Sequence, residues 1–281
     1  MKLTFATPCA FDEHALVASF GFSGAPDPTV QGVRTLDTEL DGVLLTGSYD
    51  DILKAVDDRP NQAGIVMLGN AGGENAFIHA LQAKARCPLT GGSAAIDPVT
   101  GKAGLVAGMG QAAVFLVRDP RYRVEVECEN IHATVLGTHH IEFEQDRVFK
   151  TIDGQDALTW YNARRAGLGI GETDFEHLTF SDTLGINAHT FLRDGRLTAG
   201  RDLQETMVLR MVEPENVYPR MAAFYLDPTA AVFGCAGLKG ILPQPIEGSG
   251  AGLFMFGEVC TVNGVSEFGN LMLSKLTITP V

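Results

Sequence analysis

The sequence predicts a mixed α/β fold (α+β), in which mainly antiparallel and mixed sheets are covered by helices and two halves of the chain interlock. The continuous apolar run Gly64–Leu68 precedes a helical pattern from Glu74, which is typical of a strand buried on both faces. Residues 124–129 alternate between apolar and Glu side chains, the period of a half-exposed antiparallel strand. The apolar runs Ala230–Phe233 and Gly252–Phe256 each stop at glycine, as short buried strands do.

In the first half we expect a helix that begins after Ser48, because the Ser48 hydroxyl can cap the free amides of the first turn. Its apolar side chains at helical spacing are Tyr49, Ile52, Leu53 and Val56. The other elements predicted here are strands at Ala15–Phe20 and Gly42–Leu45, the turn Gly69–Gly73, the helix Glu74–Arg86, a hairpin of Leu105–Met109 with Ala112–Val117, and strand pattern through Ile131–Leu136 and Ile141–Phe143.

In the second half a helix is predicted at Asp156–Ala166, with Gly167 as its left-handed cap. Thr173 and Glu176 have the spacing of a small capping box. Strands are predicted at Thr183–Leu192, Met207–Val212, Ala230–Phe233, Gly252–Phe256 and Leu271–Ile278. We place the division between the halves at 1–153 and 154–281.

Composition narrows the class of protein. The 281 residues can bury a substantial core, and 45% hydrophobic with 20% charged residues is typical of a globular chain. A net charge of −13 disfavours nucleic acid and anionic membranes as partners. The N-terminus lacks a secretory pattern, no apolar run has membrane-spanning length, and the five cysteines show no paired spacing. We therefore expect a cytoplasmic protein with reduced thiols.

Cys235 and Glu258 are the sharpest site candidates, because each follows one of the two C-terminal apolar strands. If the strands end side by side, the thiol and the carboxyl line one concavity. Cys235 as a nucleophile would need a base and a lowered pKa, and Lys239 is the closest base in sequence; an inert core thiol is the simpler interpretation. Glu258 could bind an ammonium group, act as an acid or base, or form a structural salt bridge.

Three further segments could line a pocket. Gly92 lets the backbone approach a ligand and Ser93 adds a hydroxyl, although tight packing explains both equally well. Gly69–Gly73 could hold an anion, but Glu74 at its mouth would repel one, so a structural turn is favoured. Asn270, like Asn263 and Glu267, could form a polar rim or build a turn.

The seven histidines do not predict a metal site. His139 and His140 are adjacent, so a regular strand would point them to opposite faces. His132 and His189 are isolated, and a hydrogen-bonded structural histidine is the default for each. Haem ligation by one of them stays open, because a single axial His suffices.

Several patches resemble the FIST family (F-box and intracellular signal transduction domains). They are Pro88–Ala95 with its Gly-Gly-Ser, Val148–Tyr161 with Asp-Gly-x-x-Ala-Leu, the small-Cys-small segment Phe233–Gly237, Phe256–Gly257–Glu258, and Glu267–Asn270. They occur in the family's order and touch most of the chain after about residue 60. The first 60 or so residues diverge, and Leu238-Lys239 stands where family members often have arginine.

The resemblance implies a sensory protein in signal transduction that binds a small molecule, such as an amino acid or related metabolite. It implies no catalytic residue, and it points to a signalling protein as a partner, with a homo-oligomer left open. The ligand-lining set is then Gly92, Ser93, Cys235, Gly257, Glu258 and Asn270. Two alternatives remain: a small-molecule enzyme that uses Cys235 with Glu258, and a haem-binding gas sensor.

Overall fold

A computed structural model of the chain describes residues 2–5, 20–21, 38–69, 73–93, 111–145, 147–171, 174–227, 229–243, 251–255 and 257–281. Several predicted features lie outside these residues: the strand at 105–109, most of the strand at 15–20, the middle of the turn at 69–73, and Thr173 of the capping box.

The strands, in chain order, are β1 Lys2–Phe5, β2 Phe20–Gly21, β3 Thr38–Glu39, β4 Gly42–Ser48, β5 Ala63–Leu68, β6 Leu89–Ser93, β7 Gln111–Val117, β8 Tyr122–Glu129, β9 Thr134–Gln145, β10 Val148–Ile152, β11 Gln155–Asp156, β12 Leu178–Ser181, β13 Asn187–Ala188, β14 Thr190–Arg193, β15 Arg196–Ala199, β16 Thr206–Met211, β17 Ala230–Cys235, β18 Ala251–Met255, β19 Glu258–Val262, β20 Val265–Gly269 and β21 Leu273–Pro280. The α-helices are α1 Tyr49–Ala55, α2 Glu74–Ala85, α3 Ala157–Gly167 and α4 Pro214–Tyr225. Short 3-10 helices span Phe175–His177 and Ala236–Ile241.

Two sheets stack face to face and form the core that positions the site. The strand orders are β20-β19-β6-β5-β7-β4 in the six-stranded sheet and β18-β17-β21-β8 in the four-stranded sheet. Ile65, Phe115, Phe233 and Leu276 belong to the apolar layer between them. Helices α1 and α2 cover the outer face of the six-stranded sheet, and α4 covers that of the four-stranded sheet. The result is a helix–sheet–sheet–helix sandwich.

A third sheet curls into a nearly closed barrel, with the order β13-β12-β16-β9-β10-β15-β14 and β11 beside β10. Strands β13 and β14 follow each other in the chain yet lie at opposite ends of this order. Tyr161 of α3 is fully buried and its hydroxyl donates to the Leu178 carbonyl at 2.8 Å. The same hydroxyl lies 2.7 Å from Thr190 Oγ1. One side chain thus links β12 to β14, the two margins of the barrel.

The two halves of the chain interlock, because strands from both contribute to the stacked sheets. In the six-stranded sheet β6 pairs with β19, and in the four-stranded sheet β8 pairs with β21. The barrel strands lie between these segments in sequence. The mixed α/β prediction with mainly antiparallel pairing is confirmed, whereas the boundary at 153/154 stays a prediction. Among the described residues, no helix is both long and apolar enough to cross a bilayer.

Most long elements agree with their predictions. Ser48 caps α1 by accepting from the Asp51 amide, and every residue of β5 is buried. In α2 the buried side chains include Phe77, Ile78 and Leu81, as the spacing predicts. Strand β8 alternates in exposure along Tyr122–Glu129, because its inner face packs on the other sheet.

Two local predictions are wrong, and one helix was not predicted. No single strand covers Thr183–Leu192; Asp182 accepts from the amides of Leu184 and Ile186 and holds a turn there. Gly167 is the last residue of α3, and the left-handed residue is Gly169, with a φ of 72°. Helix α4 was not predicted, since Pro219 interrupts its pattern.

Candidate functional site

The structure brings Cys235 and Glu258 together at the margin between the stacked sheets. Strands β17 and β18 pair in parallel, with Cys235 opposite Met255, so they end side by side as predicted. Glu258 begins β19, after the turn at Gly257, and this places its carboxyl beneath the end of β17. The Cys235 and Glu258 side chains lie close enough for the Glu258 charge to affect the Cys235 thiol.

Both groups are buried, with Cys235 5% exposed and Glu258 0% exposed. The Met272 amide donates to Glu258 Oε2 at 3.2 Å, whereas Oε1 has no hydrogen-bond partner among the described residues. Burial is the main cause that raises the pKa of the Glu258 carboxyl well above its ordinary value. Burial, followed by the neighbouring Glu258 charge, raises the pKa of the Cys235 thiol. The Cys235 thiol therefore keeps its proton at neutral pH, and the Glu258 carboxyl keeps its proton to a higher pH than an ordinary glutamate.

Tyr225, at the end of α4, lies at the same place and was missed by the sequence analysis. A side chain added at Gly234 would overlap the Tyr225 hydroxyl, so that hydroxyl packs against β17 one residue before Cys235. Burial, with smaller contributions from the charges of Glu258 and Cys235, raises the pKa of Tyr225. The sequence signal for Tyr225 is the apolar pattern of α4, which the internal Pro219 interrupts.

Gly92 and Gly257 bring the backbone close to the pair. Gly92 is paired with Glu258, and an added Cβ there would overlap the Gly257 carbonyl oxygen. Gly257 has a φ of 107°, and an added Cβ would overlap the Phe268 ring and lie 2.9 Å from Asn270 Nδ2. Neither position has room for a larger residue. Both glycines therefore serve the close approach of β6 to β19.

Ser93 lies at the same sheet margin but on the other face. Its amide donates to the Gly257 carbonyl at 2.9 Å, and its side chain is fully buried. Ser93 is the neighbour of Leu68, which packs under the helices, and strand alternation sends the hydroxyl to that side. Ser93 Oγ has no hydrogen-bond partner in the part of the chain that the structure describes.

Asn270 joins the sandwich to the barrel. Its amide donates to the Asn187 carbonyl at 2.9 Å, and its Oδ1 accepts from the His189 amide at 3.3 Å. Its Nδ2 faces Gly257. The side chain thus carries structural contacts at a point next to the Cys235–Glu258 pair.

Glu176 is a partly exposed residue that packs against Gly237, next to Cys235. An added Cβ at Gly237 would lie 3.6 Å from Glu176 Cγ and 3.7 Å from Cys235 Sγ, so Gly237 separates the two side chains. The Glu176 side chain is 26% exposed, and its Oε1 lies 3.9 Å from His189 Nε2. Gly237 therefore packs between the buried thiol and a partly exposed carboxyl side chain.

The candidate histidines occupy structural positions in this region. His132 is fully buried, with Nε2 2.7 Å from the Glu176 carbonyl oxygen and Nδ1 3.2 Å from Asn187 Nδ2. Burial lowers the pKa of both His132 and His189 to about 4. Within the described ranges, no group of His, Cys, Asp and Glu side chains is arranged to hold a metal ion.

A buried charge cluster beside the site was also missed. Arg201 Nη2 lies 3.0 Å from Asp182 Oδ2 and 2.7 Å from Glu267 Oε2, and all three side chains are largely buried. The cluster ties the barrel to β20. Its members are far apart in sequence, so no local sequence pattern predicts the cluster.

No protein-family model matches this chain, and a search of curated proteins found no relative.

Proposed function

We propose that the chain is a small-ligand-binding sensory protein of the FIST type, which receives an amine-bearing metabolite such as an amino acid at the Cys235–Glu258 pair. One observation carries the proposal: Glu258 Oε1 is fully buried and has no hydrogen-bond partner among the described residues. A buried oxygen without a hydrogen bond lowers the free energy of unfolding by about 1–3 kcal/mol. A ligand N–H that donates to it would recover that cost.

The chemistry around the pair favours an amine over an anion. Two carboxyl groups, Glu258 and Glu176, lie on either side of Cys235. Leu238, where family members often have arginine, is fully buried in the apolar cluster under α4. The ligand's amine is therefore the main determinant of binding, and binding as an ammonium would release the proton from Glu258.

A thermal-shift screen with amino acids and simple primary amines tests this proposal. A ligand at 100 times its Kd adds about 2.7 kcal/mol to the free energy of unfolding, which is a readily measured shift. Glu258→Gln should abolish the shift because the amide has a different charge and donor pattern. Glu142→Gln, at an exposed residue of the barrel, is the matched control and should preserve it. A hit that Glu258→Gln leaves unchanged would remove this site assignment.

Action in the cytoplasm through a signalling partner belongs to the same proposal. The described cysteines Cys87, Cys128, Cys235 and Cys260 are all free thiols, which is compatible with a reducing compartment. The enzyme alternative is less supported, since burial disfavours a Cys235 thiolate. The haem alternative would have to use His189, because both ring nitrogens of His132 already have contacts. A Soret band after haem reconstitution that His189→Ala removes would favour it.

A further inference from the structure

Short polar side chains line a seam between the two stacked sheets, next to Glu258. Thr90 Oγ1 of β6 lies 2.7 Å from Ser274 Oγ of β21, so the sheets approach closely there. Cys128 of β8 is the registered neighbour of Ser274. On the opposite sheet, β19 pairs antiparallel with β6, and the observed pairs are Glu258 with Gly92 and Val259 with Gly91. The next pair in this register would be Cys260 with Thr90. Cys128 and Cys260 therefore face each other as Thr90 and Ser274 do.

The two cysteines belong to one apolar cluster. Cys128 packs against the cluster of Cys260, Ile186 and Met272. Cα atoms of β8 and β19 approach within 8 Å, closer than the usual sheet spacing of about 10 Å. A disulfide needs a Cα separation of about 4.4–6.8 Å. Closing a disulfide at this seam requires the Cα atoms of Cys128 and Cys260 to lie within that range or to move into it.

The two cysteines differ in solvent exposure, and this difference indicates which thiol an oxidant reaches first. Cys260 is fully buried, whereas Cys128 is partly exposed. A peroxide from solvent meets Cys128 first, and a reactive exposed thiol beside a second thiol is the arrangement of redox-sensitive pairs. We propose that Cys128 and Cys260 are a peroxide-oxidisable pair that closes an intramolecular disulfide between β8 and β19.

The chemistry balances in two steps with hydrogen peroxide as the oxidant. The Cys128 thiolate attacks one peroxide oxygen, the O–O bond breaks, and hydroxide leaves to give a sulfenic acid at Cys128. The Cys260 sulfur then attacks the sulfenic sulfur, the S–O bond breaks, and water leaves with the Cys260 proton. Two thiols are oxidised, one peroxide is reduced, and two waters form overall. The proposal does not depend on any ligand at Glu258.

The test uses the full chain treated with hydrogen peroxide, blocked with an alkylating agent in denaturant, and digested without reductant. A disulfide-linked peptide pair that contains Cys128 and Cys260 is expected, and dithiothreitol should reverse it. Thiol titration in denaturant should show the loss of two of the five cysteine thiols. A Cys128 sulfinic or sulfonic acid in the wild-type chain, without the linked pair, would overturn the proposal.

Two variants test whether Cys260 reacts with the sulfenic acid at Cys128 or only lies near it. Cys260→Ser should let Cys128 proceed to sulfinic and sulfonic acids, because the sulfenic acid has no thiol to trap it. Cys87→Ser is the control, since Cys87 is buried under α2 in a different cluster, and it should leave the linked pair unchanged. Equal overoxidation of Cys128 in the wild type and in Cys260→Ser would contradict the proposal, as would a linked pair that uses another cysteine.

Discussion

The Cys235 thiol and the Glu258 carboxyl are buried side by side although they belong to different sheets. Cys235 ends β17 of the four-stranded sheet, and Glu258 begins β19 of the six-stranded sheet. The contact exists because β17 and β18 end together and Gly257 turns the chain by a left-handed φ of 107° into the facing sheet. Strand topology therefore buries an acid whose Oε1 has no hydrogen-bond partner among the described residues.

The first prediction concerns pH. The folded chain keeps a proton on Glu258 that the unfolded chain releases above about pH 4.3. The free energy of unfolding therefore falls as pH rises from that value through the raised pKa of the folded carboxyl. The slope from this one group is at most about 1.4 kcal/mol per pH unit.

Glu258→Gln removes the titrating carboxyl and with it this fall in the free energy of unfolding. The stability of the variant should therefore vary less with pH than that of the wild type, and it should improve relative to the wild type as pH rises. Urea unfolding at a series of pH values measures the difference, with Glu142→Gln as the exposed control. Parallel pH curves for the wild type and Glu258→Gln would show that the carboxyl is ionised normally in the folded state.

The second prediction concerns Cys235 reactivity. Each unit by which the pKa rises lowers the thiolate fraction about tenfold, and burial also limits access. Iodoacetamide at neutral pH should therefore label the partly exposed Cys128 well before Cys235, and Cys235 only on unfolding. Peptide mapping over time gives both rates in one sample. Rapid, stoichiometric labelling of native Cys235 would instead support the enzyme alternative.

The third prediction compares two left-handed glycines. An added methyl at Gly257 would overlap the Phe268 ring, whereas at Gly264, with a φ of 79°, nothing lies within 4 Å. Gly264→Ala should cost about 1–2 kcal/mol for the left-handed backbone alone. Gly257→Ala adds overpacking of about 1–3 kcal/mol. Equal losses of unfolding free energy in the two variants would mean that Gly257 is not held against Phe268.

The fourth prediction concerns the buried charges. Arg201→Met leaves Asp182 and Glu267 buried together without their guanidinium and should cost about 3–5 kcal/mol. Arg123→Met is the control: Arg123 pairs with Glu125 on the surface, where a pair contributes about 0–1 kcal/mol. Adding Glu267→Gln to Arg201→Met should recover part of the loss. A cost for Arg201→Met no larger than that of the control would refute a role in joining barrel and sandwich.

Local patterns in the sequence predicted the long elements and the two residues at the centre of the site. Strand β5 has a continuous apolar run and helix α2 has apolar side chains at helical spacing, and the structure confirms the burial of both sets. Cys235 and Glu258 were found because each stands where an apolar strand stops, and strands that end together bring their last side chains together.

The parts that were missed depend on contacts between distant segments. The apolar pattern of α4 is broken by Pro219, so neither the helix nor Tyr225 was predicted. Ser93 seemed to belong with Glu258, but alternation along β6 sends its side chain to the other face. The pairing of Cys128 with Cys260 needs the register of four strands from two sheets, which no single segment encodes.

Infrared difference spectroscopy of the folded protein at neutral pH can show whether the buried Glu258 carboxyl beside Cys235 is protonated. We predict the carbonyl band of a protonated carboxylic acid that disappears in Glu258→Gln and shifts in Cys235→Ala, because the thiol lies beside the carboxyl. An ionised Glu258 at neutral pH, with a spectrum that Cys235→Ala leaves unchanged, would contradict it.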